Sequence, residues 1–119
     1  MTKWLLGSNG EPAIWVAGDE NTLTVTLGGS GSISGGTPTV SVSAKGGAVL
    51  AGPFTMTVSD AANRVVTYTF TEANTALFST NSDPTIRTEH IFDVKLVLGT
   101  VTTHNNEEVH FLVRAPRTA

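Results

Sequence analysis

Between His90 and Leu98 the chain carries two interleaved sets of residues. His90, Phe92, Val94, Leu96 and Leu98 form one row; Ile91, Asp93, Lys95 and Val97 form the other. A period of two is that of a strand with one face against a core. Val109, Phe111 and Val113, interleaved with His110, Leu112 and Arg114, repeat the pattern. Leu98-Gly99-Thr100 and Asn105-Asn106 separate the runs, and Gly and Asn tolerate the left-handed backbone of tight hairpins. The C-terminal quarter therefore reads as an antiparallel meander closing a sheet.

Upstream, Leu23, Val25 and Leu27 alternate with threonines, and Val40 and Val42 with Thr39, Ser41 and Ser43. Ala48-Val49-Leu50 predicts a short strand, and Gly52-Pro53 a turn. Phe54, Met56 and Val58 predict the next inward row. Asp60-Ala61-Ala62-Asn63 predicts a turn, and Val66, Tyr68 and Phe70 a further row. Residues 71–78 are the one helical stretch: Thr71 can cap it, Glu72 suits its positive end, and Leu77 and Phe78 would pin it to the core. Residues 28–36 read as a flexible glycine-rich loop, and residues 79–89, broken by Pro84, as an exposed recognition loop. At the N-terminus, residues 1–10 form an arm, and Ala13-Ile14-Trp15-Val16 follows Pro12 as an edge strand. Trp15 is assigned to the core and Trp4 to an edge or intermolecular contact.

About seven short strands with regular turns predict an all-β, immunoglobulin-like antiparallel β-sandwich, without that family's disulfide. The 119 residues make one domain, 1–119, with short arms at 1–10 and 115–119. There is no cysteine, which excludes disulfides and thiolate metal sites. A net charge of −3 with 14% charged residues argues against nucleic acid and anionic membranes as partners. No run approaches the roughly 20 apolar residues of a membrane helix, and the apolar run at Trp4-Leu5-Leu6 is too short for a signal-peptide core.

Site chemistry is sparse. Gly29-Ser30-Gly31-Ser32-Ile33-Ser34 lacks the last glycine of a dinucleotide fingerprint, and Gly28-Gly29-Ser30-Gly31-Ser32 is not a nucleophile elbow. His104, Glu108 and His110 have metal-binding chemistry, but a polar strand face accounts for them. Asp93 and Lys95 read as a surface or interface ion pair. The adjacent carboxylates Asp19-Glu20 and Glu107-Glu108 point to opposite strand faces and make no glycosidase couple. No enzyme activity, cofactor or metal is expected.

One further signal is the order of elements from Arg64 onward. A strand at Val65–Phe70 leads into a Thr-started half-helix through Ala76-Leu77. Phe92-Asp93-Val94-Lys95-Leu96, a turn, Val101-Thr102, and Phe111-Leu112-Val113 ending in Pro116-Arg117-Thr118 follow. This order resembles the immunoglobulin-like domains of tailed-bacteriophage virion proteins, notably the N-terminal domain of baseplate upper proteins. It departs from them in having His90 and Ile91 where an aromatic is expected, and a long preceding loop. No trimerising helix or receptor-binding module follows, which favours a free-standing capsid decoration (cement) protein. The resemblance implies a non-enzymatic structural protein located in the virion. It would bind the major capsid protein or other virion proteins, as a monomer or homo-oligomer. Tail, neck or baseplate placement and a carbohydrate- or receptor-binding adhesion module are the alternatives. Expected contact residues are Trp4 and Leu5 in the arm, Asp83 and Arg87 in the loop, and Arg114, Pro116 and Arg117 at the C-terminus.

Overall fold

The computed structural model describes residues 3–7, 9–78, 80, 82–83, 85–104 and 109–116. Among the described residues ten strands and one helical turn follow in the order β1 (Lys3–Trp4), β2 (Ile14–Val16), β3 (Asn21–Thr26), β4 (Thr37–Ala44), β5 (Val49–Thr55), β6 (Thr57–Asp60), β7 (Val65–Phe70), α1 (Glu72–Thr75), β8 (Thr88–Leu98), β9 (Val101–His104) and β10 (Val109–Arg114). They form two sheets. The larger runs β1-β10-β8-β4-β5, with β2 also on β10 and β9 also on β8; the smaller runs β3-β7-β6. The all-β sandwich expected from the alternation is what forms, with the sheet order of an immunoglobulin-like domain.

The alternating rows supply the core. Leu23, Val25, Val40, Val42, Val66, Phe70, Phe92, Val94, Phe111 and Val113 are all buried. Trp15 sits among them at 6% exposure, its ring 5.6, 5.3 and 5.1 Å from Phe70, Phe92 and Phe111. Phe92 and Phe111, on neighbouring strands, stack at 4.0 Å. Edge-to-face and offset aromatic contacts of this kind add about 1 kcal/mol each beyond area burial.

Four expectations are corrected. The inward row Phe54, Met56, Val58 is not one strand. The chain leaves β5 at Thr55 and enters β6 at Thr57, changing sheets at buried Met56, whose N–H donates to Pro38 O at 2.8 Å. Gly52-Pro53 is not a turn between strands but lies within β5, where its register against β4 shifts. Gly52 has φ +98°, and a Cβ there would lie 2.6 Å from Val40 O, so glycine is required. Leu77 does not pin the helix and is 55% exposed; Phe78 is buried as expected, and Thr75 is buried in place of Leu77. The Thr75 hydroxyl takes the N–H of Gly18 (2.9 Å) and donates to Asp19 O (2.8 Å), tying α1 to the turn after β2. Thr71 caps α1 as expected, with Asn74 closing a reciprocal capping box.

The fourth correction concerns the ends. The N-terminal stretch is docked. β1 pairs in parallel with β10, Leu5 N–H donates to His110 O (2.8 Å), and Ala13 N–H to Leu5 O (2.7 Å). The glycine-rich loop is also held: Ile33 is fully buried, and the Arg64 guanidinium donates to the carbonyls of Gly28, Ser30 and Gly31. The Gly99 hairpin joins β8 to β9 as expected; Asn105-Asn106 lies outside the described residues.

Candidate partner-binding surfaces

Register fixes which expected contact residues share a face. In β10, Val109, Phe111 and Val113 enter the core, so His110, Leu112 and Arg114 lie on the outer face of the large sheet. Parallel pairing sets Trp4 beside His110, Ile14 beside Leu112 and Val16 beside Arg114. Antiparallel pairing sets Ile91 opposite His110 and Glu89 opposite Leu112. Trp4 and Arg114, far apart in sequence, thus lie along one stretch of β10 about 14 Å long. Ile14, 39% exposed, adds an apolar position between them. Arg87 is exposed in the segment just before β8, outside the ladder.

At one end of this stripe is a polar cluster. His110 Nδ1 is 2.5 Å from Glu89 Oε2, and Lys45 Nζ is 3.5 Å from Glu89 Oε1. The Trp4 ring packs on the other side, 5.4 Å from the His110 ring. His110 is thereby 7% exposed although it points away from the core. The expected solvated polar face is overturned here: Trp4 and Glu89 cover the imidazole. Glu108 lies outside the described residues and His104 enters only through its backbone pairing with Lys95. Among the described residues no three metal-ligating side chains converge.

The remaining expected residues divide. Leu5 turns away from the stripe and packs on the core. With Trp4, Leu6, Thr24, Thr26 and Val109 it lines an open groove of about 230 Å³ beside β3. Asp83 is exposed, its Oδ1 accepting from the N–H and hydroxyl of Thr85 in a local turn. The expected loop 79–89 is shorter than its sequence suggests, because Thr88 and Glu89 already belong to β8. Pro116 is exposed; Arg117 lies outside the described residues. Asp93 and Lys95 are exposed on the outer face as expected.

Two ionisable groups are displaced from their ordinary behaviour. Burial pushes the His90 imidazole below its usual range, opposed by its Nδ1 contact with Thr88 O. His90 is fully buried between Phe78 and Phe111, and its Nε2 has no hydrogen-bond partner among the described residues. The Asn63 side-chain amide and backbone N–H hold the exposed Asp60 carboxyl below the usual carboxylate value.

The chain matches no profile of a known protein family and no curated protein sequence.

Proposed function

We propose that this chain is a non-enzymatic structural protein of a tailed-phage particle, a capsid decoration protein that binds the outer surface of the major capsid protein. One observation carries the reading. The elements over residues 65–114 — strand, Thr-capped half-helix, long strand, Gly99 hairpin, final strand — occur in the order on which the resemblance to phage virion domains rests. The β10 stripe supports a protein partner, since it joins an aromatic (Trp4), a half-exposed aliphatic (Ile14) and an arginine (Arg114) on a rigid sheet face. Aromatic residues and Arg are enriched at interface anchors. Many copies on a repeating lattice would turn modest contacts into firm attachment.

Tail, neck or baseplate placement is the second reading, and the same stripe supports it equally. A glycan-stacking module is less well supported. Trp15 is spent in the core, and Tyr68 stacks on Phe54 at 5.0 Å with its hydroxyl on Asn74, so only Trp4 remains as a candidate platform. Mass spectrometry of purified particles from the source of the gene tests the proposal. The chain is expected at a fixed stoichiometry to the major capsid protein; its absence from particles would refute a virion role.

A further inference from the structure

The sandwich has several open strand edges, and all but one are blunted. β5 is interrupted by Gly52-Pro53 and two register shifts. β6 has four residues, with a shift beside Asp60. β9 has four residues. The β1–β2 edge is split between Trp4 and Ile14, with Leu6 bridging Pro12. Short strands, proline, charge and bulges are the devices that keep edges from pairing. β3 has none of them. It reads Asn21-Thr22-Leu23-Thr24-Val25-Thr26, pairs with β7 in unbroken register, and among the described residues has no hydrogen-bonded strand on its other side, where Trp4, Leu5 and Leu6 stand across an open groove.

The unpaired backbone groups can be identified. Leu27 N–H donates to Arg64 O at 2.9 Å, continuing the pairs Val25–Val66, Leu23–Tyr68 and Asn21–Phe70. In an antiparallel ladder only alternate pairs exchange both bonds. The odd residues therefore spend their backbone groups on β7. Thr22, Thr24 and Thr26 direct their N–H and C=O groups to the open edge, and all three are exposed.

We infer that β3 is a self-association edge: two copies pair β3 antiparallel to β3 about a two-fold axis at Thr24. That register sets Thr24 opposite Thr24 and Thr22 opposite Thr26 of the second copy, matching three outward donor–acceptor sets on each strand. An isologous contact needs a self-complementary surface, and this one is. Charge selects a second copy as the occupant. The same register carries Glu20 of one copy to Gly28 of the other, where the Arg64 guanidinium donates to Gly28 O at 3.1 Å. Exposed acid meets base at both ends of the pair, while the seven residues between, Asn21 to Leu27, carry no charge. The result is a continuous six-stranded sheet. The inference stands on β3 alone, so its failure leaves the proposed function untouched.

The test is the mass of the full chain in solution, with two variants. Sedimentation should give a concentration-dependent species of twice the 12.4 kDa chain mass. Thr24→Pro removes no bond within the fold, because that N–H faces outward; it should be folded by circular dichroism and monomeric. Should Thr24→Pro not fold, Glu20→Lys sets like charges together and should weaken the dimer several-fold. Because the chain has no cysteine, Thr24→Cys gives one thiol at the axis, with Cα atoms about 5.5 Å apart. A short thiol-to-thiol reagent should join it into dimers, and should not join Val101→Cys in the other sheet. A chain that stays monomeric at concentrations on the order of 1 mM overturns the inference. So does a dimer that neither variant weakens, or one that Thr24→Cys does not cross-link.

Discussion

The Trp4 indole lies against the His110 imidazole, ring centroids 5.4 Å apart and planes inclined at 46°. That contact closes the N-terminal strand onto the last strand and shields the His110–Glu89 pair from water. Trp4→Ala should destabilise the fold by about 1–2 kcal/mol through exposure of His110, with the sheet signal in circular dichroism retained. Urea unfolding measures it. An unchanged midpoint would mean that Trp4 contributes nothing to holding the strand. The same geometry predicts that deleting residues 1–6 lowers stability, because the segment carries β1 and the Leu5–His110 hydrogen bond.

His90 makes stability fall with acid. Its folded pKa is below the ordinary value of 6.5, so the unfolded chain binds the proton more readily. Its contribution is complete above about pH 6.5 and is lost as pH falls through the folded value. Urea midpoints across pH 7 to 5 should decline, and His90→Phe should flatten part of that decline. Identical slopes for the two proteins would contradict the assignment. The Asp60 contribution is lost only as pH falls below its ordinary 3.8.

Gly52→Ala should cost roughly 3 kcal/mol, from a left-handed φ and a backbone oxygen in the path of the new Cβ. Thermal unfolding should show it as a marked drop in Tm. Tolerance of alanine would mean that β5 can move away from β4.

Thr75→Val keeps the shape of a buried side chain but removes its hydroxyl, leaving Gly18 N–H without its acceptor and Asp19 C=O without that donor. A loss of about 1–3 kcal/mol is expected. Exchange of the Gly18 amide with deuterium should also quicken. An unperturbed Gly18 amide would show that the hydroxyl is not its anchor.

Much of the sandwich is legible in the sequence because single-face burial writes itself as alternation. The rows Leu23-Val25-Leu27, Phe92-Val94-Leu96 and Phe111-Val113 are each read correctly for that reason, as is the Thr71 cap. The sheet change at Met56 is invisible to periodicity: Phe54, Met56 and Val58 keep their inward rhythm while the pairing partner switches from β4 to β7. Strands of two or three residues, β1 and β2, have no period to detect, so their parallel pairing on β10 emerges only in three dimensions. His110 sits at an outward position and nothing local marks it as covered; its cover, Trp4, comes from the opposite end of the chain. Thr75 replaces Leu77 as the buried partner of Phe78 because its hydroxyl, not a second apolar side chain, ties the turn to the segment after β2. The contact residues Trp4, Arg87 and Arg114 are each legible as exposed or edge positions, but the common face of Trp4 and Arg114 follows only from register.

Co-sedimentation with DNA-free capsids, assembled from the major capsid protein of the same source, tests the central claim most directly. The account predicts saturable binding at a fixed number of copies per capsid, weakened by charge reversal of Arg114 on the β10 stripe and of exposed Arg87. No binding to intact capsids would contradict the decoration role and move the chain, if present in whole particles, to the neck, tail or baseplate.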